Sequence, residues 1–323
     1  MKKAFMSIIA LMTAVTMSAI DDNTVLVTYN GASATVEIAS NIKNYVTATT
    51  NGAHVSIVQG TDIGDRTGEI YYTLAGSSTD GAFYMEGSYK ASLILEGLTL
   101  TNPSGPAINI QNGKRINVSI KNGTDNTLTD GANGDWKGCY VCKGHTEFKG
   151  KGTLTVNGNT AHGIWGNEYV EVKNCTINIP NAVKDGINCN QYFLMESGSV
   201  TITRPGDDGI QVSYKSKTTD DPEDTGCFTQ TDGILSITGH GGVCIKVDNT
   251  ITYSGGTQNF NTSDVIEHAA TGISSILQEE GLGIDDAEAI YDLSGRKHSK
   301  ETSLPKGVYI LKKGKQVTKV QVQ

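Results

Sequence analysis

The sequence predicts an all-β fold, a parallel β-helix of stacked coils, and three observations predict it. First, Gly163, Gly186 and Gly209 recur at a spacing of 23 residues. At the same spacing Tyr169 returns as Tyr192, Val170 as Phe193, Val172 as Met195, Ile177 as Val200 and Ile179 as Ile202. A fixed period in the low twenties is the mark of stacked structural units. Second, each unit holds short runs of alternating apolar residues, such as Thr-Ile-Asn-Ile at 176–179 and Val-Thr-Ile-Thr at 200–203, with no helical periodicity. Third, glycine is abundant, at 38 residues, and aromatic content is only 7%, which suits tight turns and short strands.

Residues 1–19 read as a secretory signal. Lys2 and Lys3 form a basic start, residues 8–17 an apolar run too short to span a bilayer, and Ser18-Ala19 a small-residue cleavage point. No later segment is apolar and long enough for a membrane span. The β-helix is expected over 20–260. It opens with a cap over residues 21–60, where alternating runs are separated by Asn30-Gly31 and Asn51-Gly52. A solenoid without a cap exposes strand edges and core. Early coils follow at 70–74, 82–85, 92–100, 107–110 and 116–120. A polar loop at 126–135 then precedes the clean repeat, and the coil opening at Gly209 carries an acidic insertion, 215–225. Residues 261–288 read as a polar, acidic linker. Residues 289–323 read as a separate small β unit richer in Lys and Arg.

If the coils stack, residues one period apart form columns about 4.8 Å apart. Ile164, Ile187, Ile210 and Val243 are expected to point inward, as are Gly166, Cys189, Val212 and Ile245. The alternate positions then face out. One outward column reads Tyr140, Trp165, Asn188, Gln211; its neighbour reads Asn167, Asn190, Ser213, Lys246. Aromatic faces stack on pyranose rings and amides bond hydroxyls, so Tyr140, Trp165, Asn167, Asn188, Asn190 and Gln211 are candidate carbohydrate contacts. The competing reading is that Trp165 packs under a loop and the Asn column bonds itself along the solenoid.

Asp185 and Asp208 each precede a repeat glycine, one period apart, and Asp207 adjoins Asp208. Carboxylates brought that close repel and hold protons, unless a divalent cation such as calcium neutralises them. Asp220, Asp221 and Asp224 of the insertion offer further ligands at the same end of the coils. The alternative is that Asp-Gly is simply a turn dipeptide, its glycine supplying positive φ.

The formal net charge is −8, which argues against nucleic acid and suits export or divalent cations. Six cysteines could form disulfides outside the cytoplasm. Cys139 and Cys142 make half a zinc site, but no second pair at matching spacing exists.

Two resemblances follow from longer stretches. Leu-Glu-Gly-Leu-Thr-Leu-Thr from 95, Gly-Pro-Ala-Ile-Asn-Ile from 105, Asn-Gly-Thr-Asp-Asn-Thr-Leu-Thr-Asp-Gly from 122, Gly-Thr-Leu-Thr-Val-Asn-Gly from 152 and Gly-Asp-Asp-Gly-Ile from 206 occur in that order. Together they resemble the carbohydrate-binding β-helix family of the clostridial cellulose- and polygalacturonate-binding type. The resemblance covers residues 24–260. It implies a right-handed, polysaccharide-lyase-like parallel β-helix, bound calcium, and binding of cellulose-like or acidic glycans. That family places Asp-Gly-Ile in several consecutive coils; here His162-Gly-Ile and Gly241-Gly-Val replace two of them. Residues 289–323, through Ile-Tyr-Asp-Leu-Ser-Gly-Arg from 290 and Leu-Pro-Lys-Gly-Val-Tyr-Ile from 304, resemble the C-terminal sorting domain of Bacteroidetes-type secretion. This implies export through the periplasm to the cell surface or medium, by way of a secretion machinery.

The expected function is therefore a secreted or cell-surface, calcium-containing, monomeric polysaccharide binder without catalysis. A calcium-dependent uronate lyase is the alternative, with Lys184, Lys215, Lys246 or Arg204 near the carboxylates as possible bases. A surface adhesin or structural spacer is the third reading. No nucleophile elbow, phosphate-binding glycine loop or metalloprotease His pair is present.

Overall fold

The computed structural model describes residues 20–61, 68–216, 221–267, 287–292, 295–299, 307–314 and 316–322. The expected leader, 1–19, lies outside these residues. The described residues form strands and turns with no α-helix, and none is a helix long and apolar enough to cross a membrane. The chain divides into two compact units, Met1–His268 and Ala269–Gln323.

The first unit is built of parallel ladders. Its long strand Ala91–Asn102 pairs over 91–95 with Ile116–Ile120 and over 99–102 with Asp125–Asp130, so two ladders diverge from it. One ladder continues through Thr146–Gly150, Val170–Lys173, Tyr192–Met195, Cys227–Gln230 and Ile251–Tyr253. The other runs through Thr153–Gly158, Thr176–Ala182, Ser199–Ile202, Ile234–Ile237 and Thr257–Asn259. A separate sheet supplies the third, through Ile108–Asn112, Gly138–Cys142, His162–Gly166, Ile187–Asn190, Ile210–Ser213, Ile245–Val247 and Val265–Glu267. The chain visits the ladders in turn and adds one rung to each, an arrangement consistent with a β-helix-like solenoid.

The repeat sets the register. Ile164 pairs with Ile187 and Ile187 with Ile210; Val170 pairs with Phe193 and Ile177 with Val200. Inward residues of all three ladders, including Ile164, Val170, Ile177 and their successors, merge into one hydrophobic cluster with almost no exposure. Each such aliphatic side chain contributes about 1.5–3 kcal/mol by leaving water.

Two expectations about columns are corrected. Tyr140 pairs with Ile164, not with Trp165, and is 0% exposed. Its strand, Gly-Cys-Tyr-Val-Cys, is buried throughout, and its ring packs against Phe148 at 5.2 Å. Val243 does not pair with Ile210; Ile245 does, which puts Val247 opposite Val212 and Lys246 opposite Gln211. The insertion raises the offset between coils, so that Phe193 pairs with Phe228. The turn before the next strand keeps its length, 203–209 becoming 238–244, so the strand starts at Ile245 rather than after the Gly-Gly-Val imitation of the motif.

The repeat glycines answer to crowding rather than to turn geometry. Gly163, Gly186 and Gly209 are not among the positive-φ residues. A Cβ on Gly186 would lie 2.5 Å from Ile202 Cγ2 and 2.8 Å from the Gly209 carbonyl oxygen; Gly163 and Gly209 are crowded in the same way. Neighbouring coils close over these positions, and only hydrogen fits.

Other columns stack polar and aromatic groups. His145, Tyr169 and Tyr192, from three successive coils, lie ring over ring with centroids 4.0 and 4.5 Å apart. At the N-terminal end of the first unit, where a cap is expected, stand two hairpins. Ser33–Ile38 runs antiparallel to Thr24–Asn30, and Val46–Asn51 antiparallel to Ala53–Gln59. Their turns place Gly31 and Gly52 at φ of 62° and 61°. At the other end the parallel pattern passes residue 260, since Val265–Glu267 adds a rung to Ile245–Val247. All six cysteines are free thiols, so the disulfides anticipated from their number do not form.

The second unit is a four-stranded antiparallel sheet of Lys297–His298, Ala289–Asp292, Gly307–Lys313 and Gln316–Val322, in that order. Ala287, Ile290, Tyr309 and Leu311 are buried in it.

Candidate functional site

The position two residues before Ile164, Ile187, Ile210 and Ile245 in the third ladder carries the site. By register these are His162, Asp185, Asp208 and Val243. Each polar side chain accepts the backbone N–H of its equivalent one coil on. His162 Nδ1 takes Asp185 N–H at 3.3 Å, Asp185 Oδ1 takes Asp208 N–H at 3.0 Å, and Asp208 Oδ1 takes Val243 N–H at 3.0 Å. Sequence reasoning weighed a cation against a turn for these aspartates; the geometry adds a third role, that of side-chain rungs between coils.

The remaining oxygens converge. Asp185 Oδ2 accepts Asn188 Nδ2–H at 2.8 Å and lies 3.2 Å from His162 Nδ1. Burial pushes the Asp185 carboxyl up, but the contacts from His162 and Asn188, and the Asp208 N–H, outweigh it and hold the group below its usual range. Asp208 Oδ2 is buried and makes no hydrogen bond, with the Lys246 ammonium 3.4 Å away. Asp207 is exposed; desolvation and then the charges of Asp208 and Asp185 push it up. One carboxylate oxygen from each of Asp185, Asp207 and Asp208 falls within 4.8 Å of the others. A buried carboxylate oxygen that accepts no hydrogen bond, beside two further acids, is a donor set that fits a hard divalent cation completed by water, with Lys246 already supplying one positive charge.

Directly beside this cluster lies a cleft of about 490 Å³, lined by Trp136, Lys137, His162, Trp165, Lys184 and Asn188 among others. Trp136 is 43% exposed and its Nε1–H donates to the Ser104 carbonyl at 3.0 Å. Gly105 and Gly134 leave room for the indole, since a Cβ on either would press on it at 3.2 and 2.9 Å. Lys137 Nζ sits 6.0 Å from the centre of the Trp165 ring, within cation–π range. Asn188 and His162 belong to both features, so the cleft and the carboxylates share a wall.

The expected residues are thus distributed unevenly. Trp165 and Asn188 line the cleft. Asn167 and Asn190 lie along the same sheet, each donating its Nδ2–H to a backbone carbonyl one coil back, Lys143 and Asn167 respectively, both at 3.3 Å. Gln211 follows Asn188 in register and donates to Ser213 Oγ at 3.4 Å. Tyr140, buried, offers nothing to a surface ligand. Asp185, Asp207 and Asp208 are brought together. Asp220 lies outside the described residues. Asp221 accepts Gln191 Nε2–H at 2.9 Å, and Asp224 accepts the N–H groups of Lys215 and Ser216 at 2.6 and 2.7 Å. Gln191 follows the strand Ile187–Asn190 while Asp185 precedes it. At about 3.3 Å per residue Gln191, and Asp221 bonded to it, lie at the opposite end of that strand from Asp185, which corrects for Asp221 the expectation that it would share the cluster's end. Of the proposed bases, Lys184 lines the cleft, Lys215 pairs with Glu168 and Lys246 with Asp208. Trp136 and Lys137 went unassigned in the sequence because they sit in a loop without periodicity; two charged or aromatic neighbours after a glycine-rich turn were the only signal.

Comparison with known proteins agrees with this architecture. A family described as carbohydrate-binding domain-containing protein matches residues 51–296. A relative of the same description from Acetivibrio thermocellus is 29% identical over 103 residues, which is 29% of this chain and 36% of that protein. The match therefore spans about a third of the relative's length. Among solved structures, a polysaccharide lyase-like protein from C. thermocellum, a gadolinium derivative, superposes with a TM-score of 0.54 at 19% identity, covering 76% of this chain and 99% of that one. At that identity the likeness concerns the fold.

Proposed function

The chain belongs to the carbohydrate-binding domain-containing family, and from that premise we propose that it is a secreted or cell-surface protein that binds acidic polysaccharide without cleaving it. On this reading the solenoid is a right-handed parallel β-helix. The observation that carries the proposal is the cleft lined by two tryptophans and two lysines, Trp136, Trp165, Lys137 and Lys184. Indole faces cover the apolar side of a pyranose, and lysines neutralise uronate carboxylates, while Asn188 bonds hydroxyls. Asp185, Asp207 and Asp208 are the residues that would hold calcium. The ion would remove their mutual repulsion and offer an anchor for a sugar carboxylate. The buried Asp208 Oδ2, which accepts no hydrogen bond and has Lys246 Nζ 3.4 Å away, supports that assignment. Export by a leader at 1–19 and sorting through residues 289–323 complete the proposal.

A second reading, uronate lyase, is favoured by one observation: Lys184 lines the cleft next to the carboxylates. Incubating the full chain with polygalacturonate and calcium separates the two. Retention on the glycan with no new ultraviolet absorbance supports binding alone. Unsaturated products, lost in Lys184→Ala, support the lyase. Failure to bind any acidic or cellulosic glycan overturns both and leaves a structural spacer.

A further inference from the structure

The last coils carry a second cluster of ligating side chains, with different chemistry from the carboxylates above. His240 and Cys244 stand on the turn that leads into Ile245–Val247, and Asp264 stands just before the next rung, Val265–Glu267. The Cys244 N–H donates to the Asp264 carbonyl at 3.0 Å, so the backbone ladder sets the two side by side. His240 Nε2 lies 2.9 Å from Asp264 Oδ2, and Cys244 Sγ 4.0 Å from the same oxygen. All three ligating atoms fall within 4.8 Å of one another.

The histidine is oriented as a ligand. Its Nδ1 is 2.9 Å from the Gly242 carbonyl oxygen, which can only accept, so Nδ1 carries a proton. In a neutral imidazole that leaves a lone pair on Nε2 facing a carboxylate oxygen at 2.9 Å, two acceptors at hydrogen-bond distance. A positive species must lie between them: a second proton, or a cation. Metal-bound histidines commonly donate the other ring N–H to a backbone carbonyl, and that bond is present here. Gly241 and Gly242, pressed against Gly206 and the Asp207–Asp208 segment, hold the turn close to the preceding coil and so fix the His240 ring. The buried Cys244 thiol, 1% exposed, points at the same Asp264 oxygen, so a third ligating atom faces the pair. Nearby, within electrostatic reach of Cys244, the Tyr253 hydroxyl is buried without a hydrogen bond.

We infer that His240, Cys244 and Asp264 form a binding site for a zinc-class divalent ion, which ties the last two coils of the first unit together. The nitrogen, sulfur and oxygen donors match a borderline-soft metal and not calcium, which takes oxygen alone. Three protein ligands leave a fourth position for water. The ion displaces the thiol proton, so binding releases acid.

Cobalt(II) titration of the full chain, kept reduced, tests the inference. The expected result is a sulfur-to-cobalt charge-transfer band that saturates at one equivalent and is displaced by zinc. Cys244→Ser abolishes the band, while Cys227→Ser, at the one thiol that is not buried, leaves it. Asp264→Asn and His240→Gln weaken binding about tenfold or more. Nitrogen–oxygen pairs such as His298 with Asp292 cannot give this band, because they lack sulfur. Absence of the band in reduced protein, or its survival in Cys244→Ser, overturns the site and leaves His240 and Asp264 as an ion pair. Should Cys244→Ser fail to fold, His240→Gln decides: undiminished cobalt affinity there overturns the inference equally.

Discussion

Asp185 Oδ1 accepts the backbone N–H of Asp208, its equivalent one coil on, at 3.0 Å. A carboxylate here does the work of a main-chain carbonyl. Asp185→Ala leaves the buried Asp208 N–H without that partner, an expected loss of about 1–3 kcal/mol in denaturant unfolding. Asp185→Asn keeps an accepting oxygen and is expected to recover most of that loss, while weakening the proposed calcium binding, read by calorimetry. Equal stability of the Ala and parent proteins would show that the rung contributes nothing.

Gly186 is expected to tolerate no side chain. Gly186→Ala drives a methyl to 2.5 Å from Ile202 Cγ2, and overpacking of this kind destabilises by about 1–3 kcal/mol. Ile202→Val removes the terminal methyl but keeps Cγ2, so it restores little, because the Gly209 carbonyl oxygen, at 2.8 Å, still blocks the Cβ. Thermal unfolding of the single and double variants checks both statements.

The cleft gives a pattern of losses in glycan affinity. Trp136→Ala and Trp165→Ala are each expected to weaken binding of polygalacturonate oligomers by about 1–2 kcal/mol, several-fold to some thirtyfold. Lys137→Ala and Lys184→Ala weaken it more in dilute buffer than in high salt, since screening already removes most of their attraction there. Tyr140→Phe, deep in the core, leaves affinity unchanged. Affinity electrophoresis at two ionic strengths measures all five.

Stability is expected to fall as pH rises through the titration of Glu171. Burial raises this carboxyl above its ordinary 4.5; the Tyr192 hydroxyl opposes that, and the charges of Glu147 and Glu196 add to it. A raised carboxyl binds more protons folded than unfolded, so stability drops between 4.5 and the higher folded value. Glu171→Gln still accepts from Tyr192 and removes the drop. Above the window it should exceed the parent by a few tenths of a kcal/mol, the scale of like-charge contacts across a sheet; below the window the two should melt together.

Much of the fold was legible because the coil has a constant length. Where Tyr169 and Tyr192 recur the structure stacks them, and where Ile164, Ile187 and Ile210 recur they share a core column. Legibility failed where period or alternation failed. Gly-Cys-Tyr-Val-Cys at 138–142 has no polar residue to mark an outer face, so Tyr140 was assigned outward. Gly241-Gly242-Val243 imitates the repeat two residues early, and only the constant turn length reveals Ile245 as the true partner. Of the candidate site, Asp185, Asp207, Asp208, Trp165 and Asn188 followed from the columns. Trp136 and Lys137 did not, since a loop's destination depends on contacts with Ser104 and Gly105, a whole coil away.

Both tryptophans of the chain, Trp136 and Trp165, border one cleft. Light absorbed at the red edge of the protein spectrum is therefore emitted from this spot alone, while the thirteen tyrosines stay silent. A sugar sliding over the indoles would alter their fluorescence without any label, so the molecule carries its own optical gauge of occupancy.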